Sequence, residues 1–390
     1  MTKKAIYILP AIIIAQFFCT SIWFAGNAVI ANLITDYKLT DNDLGHIISA
    51  VQFGFISGTL SYALLNLADR FSPSKVFFFS ALLGAVSNLG ITFPDQTIES
   101  ILILRFLTGF FLAGIYPVGM KIAADYYEKG LGKALGFLVG ALVLGTAFPH
   151  LLKSFKNALS WKIVLYTTSA LCFTGGLIIL MLVADGPYRK ESQKLDFAAI
   201  YRVFKNKKFL QAAVGYFGHM WELYAFWVFI PVMLIAYSKI HQLNDINIAL
   251  WSFLIIAIGS ISCIAGGYIS ERIGVKNTAR TSLLLSGICC LLSPLFFMID
   301  IPVVFILFLF IWGAVVIADS PLFSTLVANN AIPEFKGTAL TIVNCIGFSI
   351  TIVSIELINT LNTNANVIYI FTVLALGPVI GLLKLYKKYD

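Results

Sequence analysis

Twelve apolar runs, each near the length of one bilayer crossing, constrain this chain more than any other feature. They lie at about 6–34, 43–68, 75–94, 97–124, 132–152, 161–184, 209–237, 246–270, 276–299, 301–328, 337–360 and 365–384. The hydrocarbon core of about 30 Å takes about 20 helical residues to cross. Backbone groups inside lipid must satisfy their own hydrogen bonds, so runs of this length predict membrane-spanning helices. Composition agrees: 59% of the 390 residues are hydrophobic and 12% charged, and the mean hydropathy is +0.89. A water-soluble domain of this size does not carry that balance. The first run is too long for a signal-peptide core and reads as an uncleaved first span. All six cysteines fall in apolar runs, where cysteine behaves as a small hydrophobe. Neither a disulfide nor a metal site is expected.

Most loops are a few residues long. The exception runs from Asp185 to Lys208 and carries Arg189, Lys190, Lys194, Arg202, Lys205, Lys207 and Lys208. It reads as a basic linker (185–208) between two six-helix bundles, 1–184 and 209–390. The net charge of +8 is explained by where the basic residues sit, and no nucleic-acid partner is implied. With both termini placed in the cytoplasm, 21 of the 27 Lys and Arg fall inside. Five fall outside (Lys38, Lys153, Lys156, Lys162, Lys239), and Arg105 lies within a span. The positive-inside rule supports that orientation.

The two halves repeat each other at an offset of a little over 200 residues. Asn66-Leu-Ala-Asp69-Arg70 after span two matches Tyr268-Ile-Ser-Glu271-Arg272 after span eight. Tyr116-Pro117 in span four matches Ser320-Pro321 in span ten, and Gly132-Lys133-Ala134-Leu135 matches Gly337-Thr338-Ala339-Leu340. Trp23 of span one falls opposite Trp227 of span seven. Two parallel six-helix repeats are a transporter layout, with the binding site near the midplane.

Span seven holds the most unusual polar residues. In Gly215-Tyr-Phe-Gly-His219-Met-Trp221-Glu222-Leu-Tyr224-Ala-Phe-Trp227, the residues Gly215, His219, Glu222 and Phe226 share one helix face. Helix rise places Glu222 about 20 Å from Phe209, near mid-membrane. A charge there faces protein or water and marks a path for ions, protons or substrate. Glu222 is therefore the first candidate proton carrier. His219 is read either as its relay partner or as a neutral hydrogen-bonded histidine.

The motifs now in hand resemble the major facilitator superfamily over nearly the whole chain. Gly267-Tyr-Ile-Ser-Glu271-Arg272-Ile-Gly274-Val-Lys276 is close to that family's Gly-x-x-x-Asp-Arg-x-Gly-Arg-Lys loop, and the copy after span two keeps Asp69 and Arg70. The implied fold is an all-α membrane protein of twelve transmembrane helices in two pseudo-symmetric six-helix bundles. By the same resemblance Asp69, Arg70, Glu271 and Arg272 are gating residues. Asp69 would face the start of span eleven near Gly337, and Glu271 the start of span five near Gly132. The alternative is that these acids pair only with their neighbouring arginines.

Arg105-Phe-Leu-Thr-Gly109 in span four is similar to the family's Arg-x-x-x-Gly motif. Arginine stays charged, so Arg105 requires an acid, carbonyls or an anionic ligand. Either it packs the bundle through carbonyls or it takes part in substrate or proton chemistry. The glycines beside it read as structural. The resemblance has spans one and seven lining the cavity, which makes Gln16, Trp23, Asn27 and Trp227 candidate substrate contacts together with Arg105 and Tyr116. His150 and Glu356 are candidate outer-gate residues, Asp319 reads as a helix-end acid, and Asn344 as a bridge between helices.

The chain is also somewhat like the nitrate/nitrite and cyanate porter branch, in His219-Met-Trp-Glu-Leu-Tyr224 and Gly337-Thr-Ala-Leu-Thr341. It lacks an arginine in span two or eight and the Gly-x-x-x-Asn-x-x-Gly-Gly run, which argues against nitrate. The expected function is secondary transport of a small organic anion by proton-coupled alternating access, as symport. Proton-driven export of drugs or metabolites is the alternative, although span five lacks Gly-Pro-x-x-Gly-Gly. No His-Glu-x-x-His or Gly-x-Ser-x-Gly arrangement speaks for an enzyme. No cofactor is expected. The partners are a small-molecule substrate, protons and the lipid bilayer of a bacterial inner membrane, with the protein acting as a monomer.

Overall fold

The computed structural model describes residues 7–40, 43–127, 131–155, 160–189, 203–243, 246–332, 336–362 and 366–387. Helices occupy all twelve apolar runs. Nine helices among the described residues are long and apolar enough to cross a membrane. The other three spans are built on Ile8–Thr20, Pro73–Gly90 and Ile370–Tyr386. The fold is all-helical, with twelve transmembrane helices. Large apolar side chains point outward, among them Phe79 (57% exposed), Ile261 (64%) and Leu383 (71%). Apolar surface of that extent is stable against lipid and not against water.

Spans one, four and ten are each divided within the membrane-crossing run. Span one divides into Ile8–Thr20, Ala25–Ala28 and Ile30–Asp36. At its first break the Thr20 hydroxyl donates to Gln16 O (2.8 Å) and the Ser21 hydroxyl to Phe18 O (2.7 Å). Hydroxyls bonded back to the preceding turn compete with the helix ladder and bend it. Span four divides into Ile98–Leu112 and Tyr116–Tyr126, and span ten into Pro302–Ala318 and Ser320–Asn330. Pro117 and Pro321 each sit in the first turn of the second piece. The missing N–H costs nothing there. By contrast Pro149, Pro231 and Pro294 lie inside unbroken helices.

The chain divides into two compact units, residues 1–194 and 195–390. The division falls inside the basic stretch 185–208, of which 190–202 lie outside the described residues. Within the first unit, span two packs on four, span one on five and six, and span three on four and six. Within the second, span eight packs on ten, seven on eleven and twelve, and nine on ten and twelve. The same pairings recur in the same order, so the sequence repeat is a repeat of packing.

Two glycine positions are dictated by geometry. Gly109 lies so close to span two that a Cβ would fall onto the Val51 carbonyl, which lets Ile98–Leu112 press against Asp43–Leu64. Gly274 has φ +87, the left-handed region, between the helices Ile248–Ile273 and Val275–Met298. The first unit makes the equivalent turn differently. There Ser72 is extended (φ −59, ψ 124) ahead of Pro73, as a residue before proline must be.

Candidate functional site

Span seven is a 34-residue helix, Lys207–Ile240, capped by the Asn206 side chain. Glu222 lies near its middle and is 1% exposed. Its carboxyl group is held by three donors from two neighbouring helices. Trp312 Nε1 donates to Oε1 at 2.7 Å, Cys290 Sγ to the same oxygen at 3.3 Å, and Ser286 Oγ to Oε2 at 2.8 Å. Trp312 is itself fixed against Phe226, with ring centroids 4.5 Å apart. Ser286 Oγ also lies 3.2 Å from Leu283 O, a second acceptor for its single proton. Among the described residues no Lys, Arg or His approaches the Glu222 carboxylate within ion-pair distance.

One turn earlier, His219 Nδ1 stands 2.8 Å from Asp319 Oδ1, both side chains being 1% exposed. Asp319 occupies the break of span ten, at the N-terminus of Ser320–Asn330. An acid is favoured at that helix end. The helix-end reading of Asp319 therefore holds for its backbone, while its side chain is buried and bound to span seven. His219 meets Asp319, and its Nε2 has no hydrogen-bond partner among the described residues. Cys290 departs from the small-hydrophobe reading, since its thiol donates to Glu222. Asn344 bridges helices: its Oδ1 accepts from Tyr216 OH at 2.7 Å. Trp227 is buried against Tyr224, with ring centroids 5.4 Å apart.

In the first unit, Arg105 is 1% exposed and spans the break in span one. It donates to Ile22 O (3.3 Å), Trp23 O (2.6 Å) and Asn27 Oδ1 (3.4 Å). The two backbone carbonyls, of Ile22 and Trp23, lie where the helix opens, so the guanidinium does for them what the next turn would have done. Arg105 thereby holds the Trp23 backbone and the Asn27 side chain, while the Trp23 ring packs on Phe55 with centroids 4.9 Å apart. Gln16 is fully buried one turn before the break, and Tyr116 is half-buried where span four resumes. His150 is 3% exposed, and Glu356 is half-buried.

The loop acids find different surroundings. Asp69 Oδ1 is 2.7 Å from Lys121 Nζ within its own unit, and Arg189 donates to the carbonyls of Asp69 (2.7 Å) and Phe71 (2.9 Å). Arg70 ends the short helix Leu67–Arg70. Glu271 and Arg272 are exposed at the end of Ile248–Ile273.

Two bundles with matching internal packing, each with a broken helix beside a buried ionisable group, form the scaffold of a secondary transporter. The Major Facilitator Superfamily profile matches residues 12–355. The chain belongs to the major facilitator superfamily. This superfamily member is 24% identical to the protein Cj0987c of Campylobacter jejuni over 282 residues, which cover 69% of this chain and 82% of that one. It is 28% identical to the 4-hydroxybenzoate transporter PcaK of Pseudomonas aeruginosa over 176 residues, covering 45% of this chain but only 36% of PcaK. Among solved structures, the human organic anion transporter MFSD10 aligns with a TM-score of 0.75 at 13% identity, covering 99% of this chain and 100% of that one. The protein is a multi-pass membrane transporter of small solutes.

Trp312, Ser286 and Cys290 are the residues that sequence reasoning missed. They lie in apolar runs, and nothing local distinguishes them from packing residues. Asp319 carried a signal, a carboxylate inside a span immediately before Ser320-Pro321.

Proposed function

We propose that this transporter is a symporter of a small organic anion and protons, in which Glu222 takes up and releases the coupling proton. The observation that carries the reading is the Glu222 carboxyl group itself, 1% exposed, with three donors and no cation beside it among the described residues. A buried charge without a counter-charge is costly, and a proton is the smallest means of removing it. Ser286 fits both protonation states. Beside the carboxylate it donates to Oε2. Beside the protonated acid it turns its hydrogen to Leu283 O and accepts from the carboxyl O–H. Sodium fits less well, since hard cations need several oxygen lone pairs. Here Oε1 already receives an N–H and an S–H.

For the substrate, the match to the 4-hydroxybenzoate transporter supports an aromatic carboxylate as the first class to test. In the 1–194 unit the buried Trp23, with Asn27 and Gln16, suits a planar ring carrying polar substituents, and in the 195–390 unit Trp227 is the proposed aromatic contact. Arg105 acts as a positioning residue that sets the break of span one and so places Trp23 and Asn27. The bundles 1–184 and 209–390 alternate access, with Asp69, Arg70, Glu271 and Arg272 in the controlling loops. The distribution of Lys and Arg supports cytoplasmic termini, and the membrane in this reading is a bacterial inner membrane.

The reading is tested in proteoliposomes with an imposed inward proton gradient and labelled 4-hydroxybenzoate. Accumulation that collapses with a protonophore is expected. Outward movement of solute under the same inward gradient would replace symport with proton-driven export.

A further inference from the structure

A cavity lies in the 195–390 unit, at the end of its bundle where spans seven and nine begin and spans ten and twelve finish. Its volume is about 630 Å³. Four cationic side chains line it, Lys208, Lys276, Arg280 and Lys387, and no acidic residue is among the described lining residues. Like charges this close repel one another, and an anion between them relieves the repulsion. The cavity floor is built. Gln211, 6% exposed, donates through Nε2 to the carbonyls of Lys384 (3.1 Å) and Lys387 (2.6 Å) and accepts through Oε1 from Lys276 Nζ (3.2 Å). One amide thereby ties the starts of spans seven and nine to the end of span twelve. The guanidinium carbon of Arg280 stands over the Tyr386 ring, 3.5 Å from its centroid. The fork of a guanidinium held over a ring at the cavity wall is suited to phosphate oxygens.

We propose that this cavity binds the phosphate of an anionic phospholipid headgroup. The helix leading into it carries an exposed apolar stripe, Leu376 (52%), Ile380 (57%) and Leu383 (71%), along which acyl chains can lie. Basic cavities between helix ends take such headgroups. The site is separate from Glu222 and does not depend on the transport reading.

The test measures thermal unfolding of the purified full-length protein with short-chain phosphatidylglycerol, with phosphatidylcholine of the same chain length, and with soluble glycerol 3-phosphate at matched ionic strength. Phosphatidylglycerol is expected to raise the unfolding temperature in a saturable manner, while the other two leave it unchanged. Arg280→Gln is expected to weaken the phosphatidylglycerol affinity about tenfold or more, the loss of a charge-assisted hydrogen bond. Should that variant fail to fold, Lys208→Gln, at an exposed position, gives the same comparison. Equal stabilisation by phosphatidylcholine, or a wild-type response in both variants, would overturn the site. Equal stabilisation by glycerol 3-phosphate would overturn the lipid and leave a soluble phosphate in its place.

Discussion

The indole N–H of Trp312 donates to Glu222 Oε1 across 2.7 Å, joining spans seven and ten where neither side chain is more than 1% exposed. This bond fixes the direction of the carboxyl group. Phe226 packs against the same indole, with ring centroids 4.5 Å apart and the planes tilted by 33°.

Trp312→Phe keeps the ring against Phe226 and removes only the donor. Hydrogen bonds to charged groups are worth about 1.5–3 kcal/mol, so the rate of proton-driven uptake should fall about tenfold or more while the protein remains folded. Initial rates in proteoliposomes, with size-exclusion chromatography as the folding control, check this. A wild-type rate would detach Trp312 from the coupling.

The His219–Asp319 pair predicts an asymmetry. His219→Ala leaves a buried carboxylate without its partner, a loss of about 3–5 kcal/mol. Asp319→Asn alone is milder, because the amide oxygen still accepts from the imidazole. Adding Asp319→Asn to His219→Ala should therefore restore most of the lost stability in a denaturation series. Simple additivity of the two losses would contradict a direct pair.

Arg105 stabilises the opened backbone of span one, and its removal should register before any substrate is added. Arg105→Ala strands the Ile22 and Trp23 carbonyls at about 1–3 kcal/mol each. Ligand-free unfolding should shift downward accordingly. An arginine that only contacted substrate would leave the ligand-free protein as stable as wild type.

The positions of the spans were legible because lipid imposes one rule over about 20 consecutive residues at a time. Spans four and ten were read as single runs, and their breaks fall at the repeated pairs Tyr116-Pro117 and Ser320-Pro321; Pro149, Pro231 and Pro294, inside unbroken helices, show why a proline alone does not announce a break. The break after Thr20 carries no glycine or proline. Its causes are two hydroxyls bonded to their own helix and an arginine more than 80 residues away in the sequence. Glu222 stood out because a carboxylate in an apolar run is rare. Its cage did not, because Trp312, Ser286 and Cys290 become donors to it only through the packing of spans nine and ten against seven. The same holds for His219, whose partner Asp319 is brought close by the fold.

Glu222→Gln tests the central claim most directly, since the amide is nearly the same shape and cannot exchange a proton in the cycle. The measurement compares gradient-driven accumulation of substrate with substrate exchange across the same proteoliposome membrane without a gradient. The account predicts that the variant exchanges substrate but no longer accumulates it. Accumulation at the wild-type level, still sensitive to the proton gradient, would contradict it.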